Sequence, residues 1–161
     1  MGAGRGRGPL EEGSPAPEIR LRDVNGQERS LSQFLESGAT LVALFKISCP
    51  TCQFTFPYLQ RLSAGKLQVV GISQDEPEWT REFNRDFGVT FPTLIDEAVE
   101  GHPVSNAFGI AHVPSLFLIQ PDGRISWTVT GFSRKGLEEL GELAGVKVFR
   151  PEEKVPEWRS G

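Results

Sequence analysis

Cys49 and Cys52 are the only two cysteines of the chain, and Pro50 and Thr51 separate them. A disulfide across so short a gap closes a tiny loop and adds little loop-closure stabilisation. The spacing therefore points to redox chemistry or metal binding rather than to a structural staple. If Cys49 opens a helix, the unpaired N–H groups and the macrodipole at that end favour a thiolate. A free cysteine titrates near 8.5, and such a position commonly brings it to roughly 3.5–7.5. The thiolate is the species that attacks a disulfide. Cys52, one turn further on, is then placed to attack the mixed disulfide that Cys49 forms. Pro50 fits a first helical turn, where its missing N–H leaves nothing unpaired.

The elements around the pair must supply that helix start. Leu41 to Ile47 is a nearly continuous apolar run, suited to a central strand buried on both faces. A helix follows from Pro50 to about Ser63, with Phe56, Leu59 and Leu62 on one stripe and a kink expected at Pro57. A cysteine pair after a strand in a βαβ pattern is a recognised redox arrangement. Leu67 to Ile72 reads as the next buried strand. Asp75, with Glu78 three residues on and Pro77 in the first turn, predicts a capped helix ending at Gly88. Trp79, Phe83 and Phe87 on that helix are expected in the core.

Upstream, Glu18 to Asp23 alternates as a half-buried strand, Asn25-Gly26 marks a turn, and Ser30 caps a short helix ending near Gly38. Downstream come a short strand at Pro92 to Ile95 and a short helix at Pro103 to Phe108. Ser115 to Ile119 and Arg124 to Val129 flank Asp122-Gly123 as a hairpin, and Leu137, Leu140 and Leu143 mark a last helix. Parallel strands joined by helices, closed by a hairpin and a helix, make an α/β sandwich.

The length of 161 residues suits one domain, and the net charge of −4 gives no reason to expect nucleic acid or an anionic membrane as a partner. No stretch is apolar enough to span a bilayer. Residues 1–16 read as a disordered leader, residues 17–145 as the folded domain, and 146–161 as a polar, proline-containing tail with no assigned structure. The leader lacks the apolar core of a signal peptide, and Gly6 breaks the myristoylation pattern, so a cytoplasmic location is expected.

These residues together resemble the thioredoxin superfamily, and within it the TlpA/ResA-type disulfide reductases of the AhpC/TSA–redoxin group. The likeness covers about Ala16 to Leu143. It rests on Ala16-Pro17 with the hairpin signals behind it, on Cys49-Pro50-Thr51-Cys52, and on Pro57 eight residues after Cys49. It rests also on Val69-Val70-Gly71-Ile72-Ser73, on Gly88-Val89-Thr90-Phe91-Pro92, and on Val113-Pro114 before Ser115-Leu116-Phe117-Leu118-Ile119. The resemblance implies a thioredoxin-like fold: a central mixed β-sheet flanked by helices, with an N-terminal β-hairpin extension. It implies a thiol–disulfide oxidoreductase acting on protein disulfides, with Cys49 and Cys52 catalytic and no cofactor. By position, Ser48, Pro50, Thr51, Val113, Pro114 and Gly131 would line the substrate groove, with Val113-Pro114 as the family's cis-proline loop. The partners implied are protein disulfides and a thiol electron donor or acceptor, with the chain acting as a monomer.

Three positions depart from the resemblance. Ala43 stands where thioredoxins often carry a buried acid, Thr55 where TlpA/ResA-type proteins often carry a glutamate, and Ser48 where a tryptophan is usual. No acid or base for Cys52 is visible in the motif. Lys46 reads as a strand-end lysine with its ammonium in water.

Other chemistries remain open. Zinc would need two more ligands, and His102 and His112, ten residues apart, fall outside the usual spacing. A thiol peroxidase of the peroxiredoxin kind would carry Thr in place of Lys46, and an arginine where the later loop reads Val113-Pro114. A thioredoxin-like copper carrier could use the two soft thiolates with His112 as a third ligand. A non-catalytic scaffold would have no need of a cysteine pair at a helix start.

Overall fold

The computed structural model describes residues 8–161. At its centre β3 (Thr40–Phe45) is buried at every position. Its side chains alternate between two apolar layers, as a strand's period of two requires. Leu41, Ala43 and Phe45 join one layer with Cys52, Phe56, Leu59, Leu137 and Leu140. Val42 and Leu44 join the other with Ile19, Leu31, Phe34, Val104 and Phe108. A strand with both faces covered has to be apolar throughout, which is why the run was visible in the sequence.

Parallel to β3 lies β4 (Gln68–Ser73), and parallel to β4 lies β5 (Thr93–Ile95). On the other side β6 (Ser115–Ile119) runs antiparallel to β3, and β7 (Ile125–Thr130) antiparallel to β6. The five-stranded sheet therefore has the order β5-β4-β3-β6-β7. The parallel connections are made by α2 (Pro50–Leu62) and α3 (Pro77–Phe87). Helix α2 continues through Pro57. A short α4 (Pro103–Ala107) precedes β6, and α5 (Arg134–Ala144) packs Leu137 and Leu140 onto the same layer as α2. Two-residue β8 (Phe132–Ser133) leads into α5 and pairs antiparallel with β9 (Trp158–Arg159). Ahead of the sheet, β1 (Arg20–Arg22) and β2 (Glu28–Ser30) form the expected hairpin. Ser30 caps α1 (Leu31–Ser37) in a reciprocal box with Gln33. This is a thioredoxin-like fold with an N-terminal hairpin.

Of the expected leader, residues 1–7 lie outside the described residues. Residues 10–16 are tied to the domain. Leu10 N–H donates to the Phe108 carbonyl at 3.1 Å, Gly13 N–H to Ile125 at 2.7 Å and Ala16 N–H to Gly123 at 2.8 Å. Pro15 bridges to Arg124 beside β7, and Asp23 bridges to Leu94 on β5. The segment after α5, unassigned in the sequence, docks as well. Val148 is buried, and Phe149 packs against Tyr58 with tilted rings, their centroids 4.9 Å apart.

Three side chains depart from expectation. Trp79 is 49% exposed, so the aromatic stripe on α3 buries only Phe83 fully. Residues four apart drift by about 40° per step around a 3.6-residue helix, so such a stripe leaves the core at one end. Leu143 is exposed, and Ala144 takes the inward position on α5. Asp75 does not cap α3, because Glu76 is the capping residue and makes no side-chain cap bond.

Candidate active site

The chain leaves β3 at Phe45, turns through Lys46–Cys49 and enters α2 at Pro50. Cys49 N–H donates to the Lys46 carbonyl at 3.3 Å across this turn. Cys49 is the N-cap of α2, with extended backbone angles of φ −83° and ψ 116°. Its Sγ accepts the Cys52 N–H at 3.1 Å, taking up one of the donors that a helix start leaves free. The Cys49 thiol also reaches the Val113 carbonyl oxygen at 3.5 Å. The sulfur is thus held between a helix terminus and the loop before β6.

The two cysteines are unequal. Cys49 is half-buried and Cys52 is fully buried; both are free thiols. Burial pushes the Cys52 thiol far above the ordinary value of 9.0, because a thiolate there would lose its hydration. A hydrogen bond to Cys49 acts in the same direction, a backbone hydrogen bond with Lys46 opposes it, and the charges of Cys49 and Asp75 raise it further. Cys52 is therefore a protonated thiol directly behind Cys49.

The other predicted groove residues gather at this end of the sheet. Val113-Pro114 is a cis peptide. The Pro114 carbonyl accepts the Gly131 N–H at 2.8 Å, which joins the end of β7 to the loop beside the cysteines. Thr51 is buried, and its Oγ1 donates to the Ser160 carbonyl at 2.7 Å. Ser48 and Pro50 are exposed on the turn and at the first helical position. His112 is exposed at the same loop, with its carbonyl accepting from Ser115 Oγ at 2.6 Å. Among the described residues no group of three or more His, Cys, Asp or Glu side chains is placed to hold a metal ion.

Ala43 is fully buried, paired in register with Gly71 on one side and Leu116 on the other. Thr55 is fully buried too, its Oγ1 donating to the Thr51 carbonyl at 2.6 Å. Neither position supplies a carboxylate. The sequence reading missed the one that bears on Cys52. Asp75 lies just past the end of β4, and its Oδ2 accepts the Ile47 N–H at 2.8 Å. The Ile47 carbonyl in turn accepts from Gln53 Nε2 at 2.9 Å. Asp75 and Gln53 thereby hold both backbone groups of Ile47 and fix the turn that presents Cys49. The available signal was topological: Asp75 follows the strand parallel to β3, and carboxyl ends of parallel strands share one edge of the sheet.

A family model described as the AhpC/TSA family matches residues 13–128. The chain belongs to the AhpC/TSA family. Two curated relatives of this AhpC/TSA chain are similar over most of its length. The thiol-disulfide oxidoreductase ResA of Geobacillus thermodenitrificans is 30% identical over 128 residues, covering 76% of this chain and 71% of that protein. The protein of the same name from Bacillus subtilis is 29% identical over 131 residues, covering 78% and 71%. Among solved structures, the thioredoxin domain of a thiol-disulfide oxidoreductase from Bacteroides vulgatus aligns with a TM-score of 0.73 at 20% identity, covering 84% of this chain and 99% of that one. The peroxidoxin BcpB of Mycobacterium tuberculosis aligns with a TM-score of 0.68 at 19% identity, covering 84% and 94%. These alignments establish the shared fold, and the chemistry is read from the site.

Proposed function

We propose that this AhpC/TSA chain is a thiol–disulfide oxidoreductase that reduces protein disulfides through Cys49 and Cys52. The observation that carries the reading is the Cys49 sulfur at the N-cap of α2, with the buried Cys52 thiol behind it and the Val113 carbonyl in front. The Cys49 thiolate attacks one sulfur of the substrate disulfide. A Cys49–substrate bond forms, the substrate S–S bond breaks, and the released thiolate takes up a proton. Cys52 then gives up its proton and attacks Cys49 Sγ. The intrachain disulfide forms and the second substrate thiolate leaves and is protonated. The substrate gains two electrons and two protons, and a separate thiol donor returns them to the protein.

The peroxidase reading has less support. Lys46 is exposed in the place where a hydroxyl would be needed, and the later loop carries Val113-Pro114 where an arginine would be needed.

The test is the trapped intermediate. After incubation with insulin, Cys52→Ser is expected to carry an insulin chain on Cys49, and Cys49→Ser to carry none. Serine cannot resolve the bond without an activating base. Equal capture by both variants, or capture by Cys49→Ser alone, overturns the order of attack. A sulfenic acid on Cys49 after peroxide, with no insulin adduct, would favour the peroxidase.

A further inference from the structure

The groove beside the cysteines already holds a peptide strand, and the strand is the chain's own. Residues 157–161 run across it, with Trp158–Arg159 as a short strand. Arg134 N–H donates to the Glu157 carbonyl at 3.0 Å. Trp158 and Arg159 then pair with Ser133 and Phe132 as β9 on β8. The Arg159 guanidinium sits 4.7 Å from the centroid of Phe54 on α2. Thr51 Oγ1, in the first turn of α2 between the two cysteines, holds the Ser160 carbonyl. Gly161 lies so close to the cis-proline loop that a Cβ on it would overlap the Val113 carbonyl oxygen. That is the oxygen to which Cys49 is bonded. A Cβ on Gly131, where φ is +84°, would likewise overlap the Arg159 carbonyl.

Three of the residues assigned to the substrate groove, Thr51, Val113 and Gly131, are thus in contact with this segment. It makes the contacts that an added substrate strand would make: a ladder to a sheet edge, a side-chain bond to a carbonyl, and close backbone approach at a glycine. The fastening is uneven along its length. Upstream, Arg61 on α2 holds both carboxylate oxygens of Glu153 at 2.8 and 2.7 Å and the Val148 carbonyl at 2.7 Å. Beyond Glu153 the hold comes from half-buried Val155, the Arg134 contacts with Glu157, a two-residue ladder, one part-buried cation–π contact and the Thr51 bond, and Trp158, Ser160 and Gly161 are exposed.

We infer that residues 157–161 form a displaceable strap that occupies the substrate groove in place of a protein substrate. The inference rests on the proposed disulfide chemistry. A substrate enters as an extended chain that replaces β9 on β8, while the Glu153–Arg61 clasp keeps the displaced strap attached. The strap weakens binding of any protein disulfide by the amount needed to lift it, and a substrate strand recovers the same ladder.

The test uses the full chain carrying Arg159→Ala and Gly161→Val. The first change removes the cation–π contact, and the second places a side chain against the Val113 carbonyl and expels the strap. Neither residue takes part in the exchange chemistry. The kcat/KM for insulin reduction is expected to rise about tenfold, the scale that one lost hydrogen bond and one part-buried cation–π contact supply. Arg159→Ala alone, which leaves the backbone path open, is expected to give a rise of about threefold. Amide exchange supplies a second readout. In the insulin adduct of Cys52→Ser, protection at Arg159 is expected to fall while α5 stays protected. An unchanged or reduced kcat/KM in both variants, with insulin still reduced, overturns the strap and leaves the exchange chemistry standing. Retained protection at Arg159 in the adduct does the same. Failure of the wild-type chain to reduce insulin or form the adduct overturns both.

Discussion

Alkaline pH should destabilise the reduced protein through Cys52 in particular. Its thiol is fully buried and held far above the ordinary 9.0, whereas the unfolded chain ionises near that ordinary value. The folded state therefore retains a proton that the unfolded state releases. Stability from this group is complete below about pH 8, and falls as pH rises past the unfolded value toward the folded one. At pH 10 the unfolded thiol lies one pH unit above its midpoint, which corresponds to a loss of ~1.4 kcal/mol. For a domain of this size the loss lowers Tm by roughly 3–6 °C. The assay is a set of thermal melts of the reduced wild type and of Cys52→Ala from pH 7.5 to 10. The two proteins differ only at position 52, so the difference in slope isolates Cys52. The same protonation governs resolution of a mixed disulfide on Cys49, whose rate should rise about tenfold per pH unit from pH 6 to 9. Parallel melting curves for the two proteins across this range would refute the burial argument, and a flat resolution rate would refute its extension to the mechanism.

Iodoacetamide at neutral pH should label Cys49 and leave Cys52 unmodified in peptide maps, because only Cys49 reaches solvent; labelling of Cys52 first would reverse the assignment. Asp75→Asn keeps an acceptor for the Ile47 N–H but removes a charge that opposes the Cys52 thiolate, so resolution at pH 7 should quicken; a slower rate would make Asp75 the proton acceptor. Phe132→Ala deletes a fully buried ring that meets Phe54, Tyr58 and Phe149, and should cost ~3–5 kcal/mol in urea titrations. A cost below ~1 kcal/mol would mean that this aromatic group does not hold α2 to β8. The Glu153 carboxyl is lowered to about 2, first by its hydrogen bond with Arg61 and then by the Arg150 backbone. Its hold on the tail is therefore present above pH 4.5 and lost as pH falls toward 2, and exchange protection at Arg150, whose N–H donates to the Glu153 carboxylate at 2.8 Å, should persist at pH 4.5 but fade below pH 3.

The parts legible in the sequence were those whose signal is local and whose burial is complete. Thr40–Phe45 has to be apolar on both faces, Asp122-Gly123 turns within four residues, and the cysteine spacing carries its own geometry. Asp75 was misread for a physical reason. Its local pattern, with Glu78 three residues on, is that of a capping box, but its carboxylate is taken by Ile47, a backbone donor 28 residues away in sequence. β9 was invisible because two residues of Trp and Arg become a strand only by pairing with β8. The position of Trp79 was likewise decided by where α3 rests on the sheet, which its spacing alone does not encode.

The residues before β3 also bear on how this protein behaves in concentrated solution. An open five-stranded sheet has two free rims, here β5 and β7, whose unpaired backbone groups could recruit another chain. The bridge from Asp23 and the bond from Val24 N–H to the Thr93 carbonyl at 3.0 Å cover part of β5. Gly13 to Ala16 cover the start of β7 and the turn before it, with Pro15 as a residue that cannot donate to a further strand. The glycine- and proline-rich approach to the domain thus works as a selvedge, finishing the raw border of the sheet. Trimming the chain to Pro17 should leave the cysteine pair intact yet yield a protein that clouds on concentration.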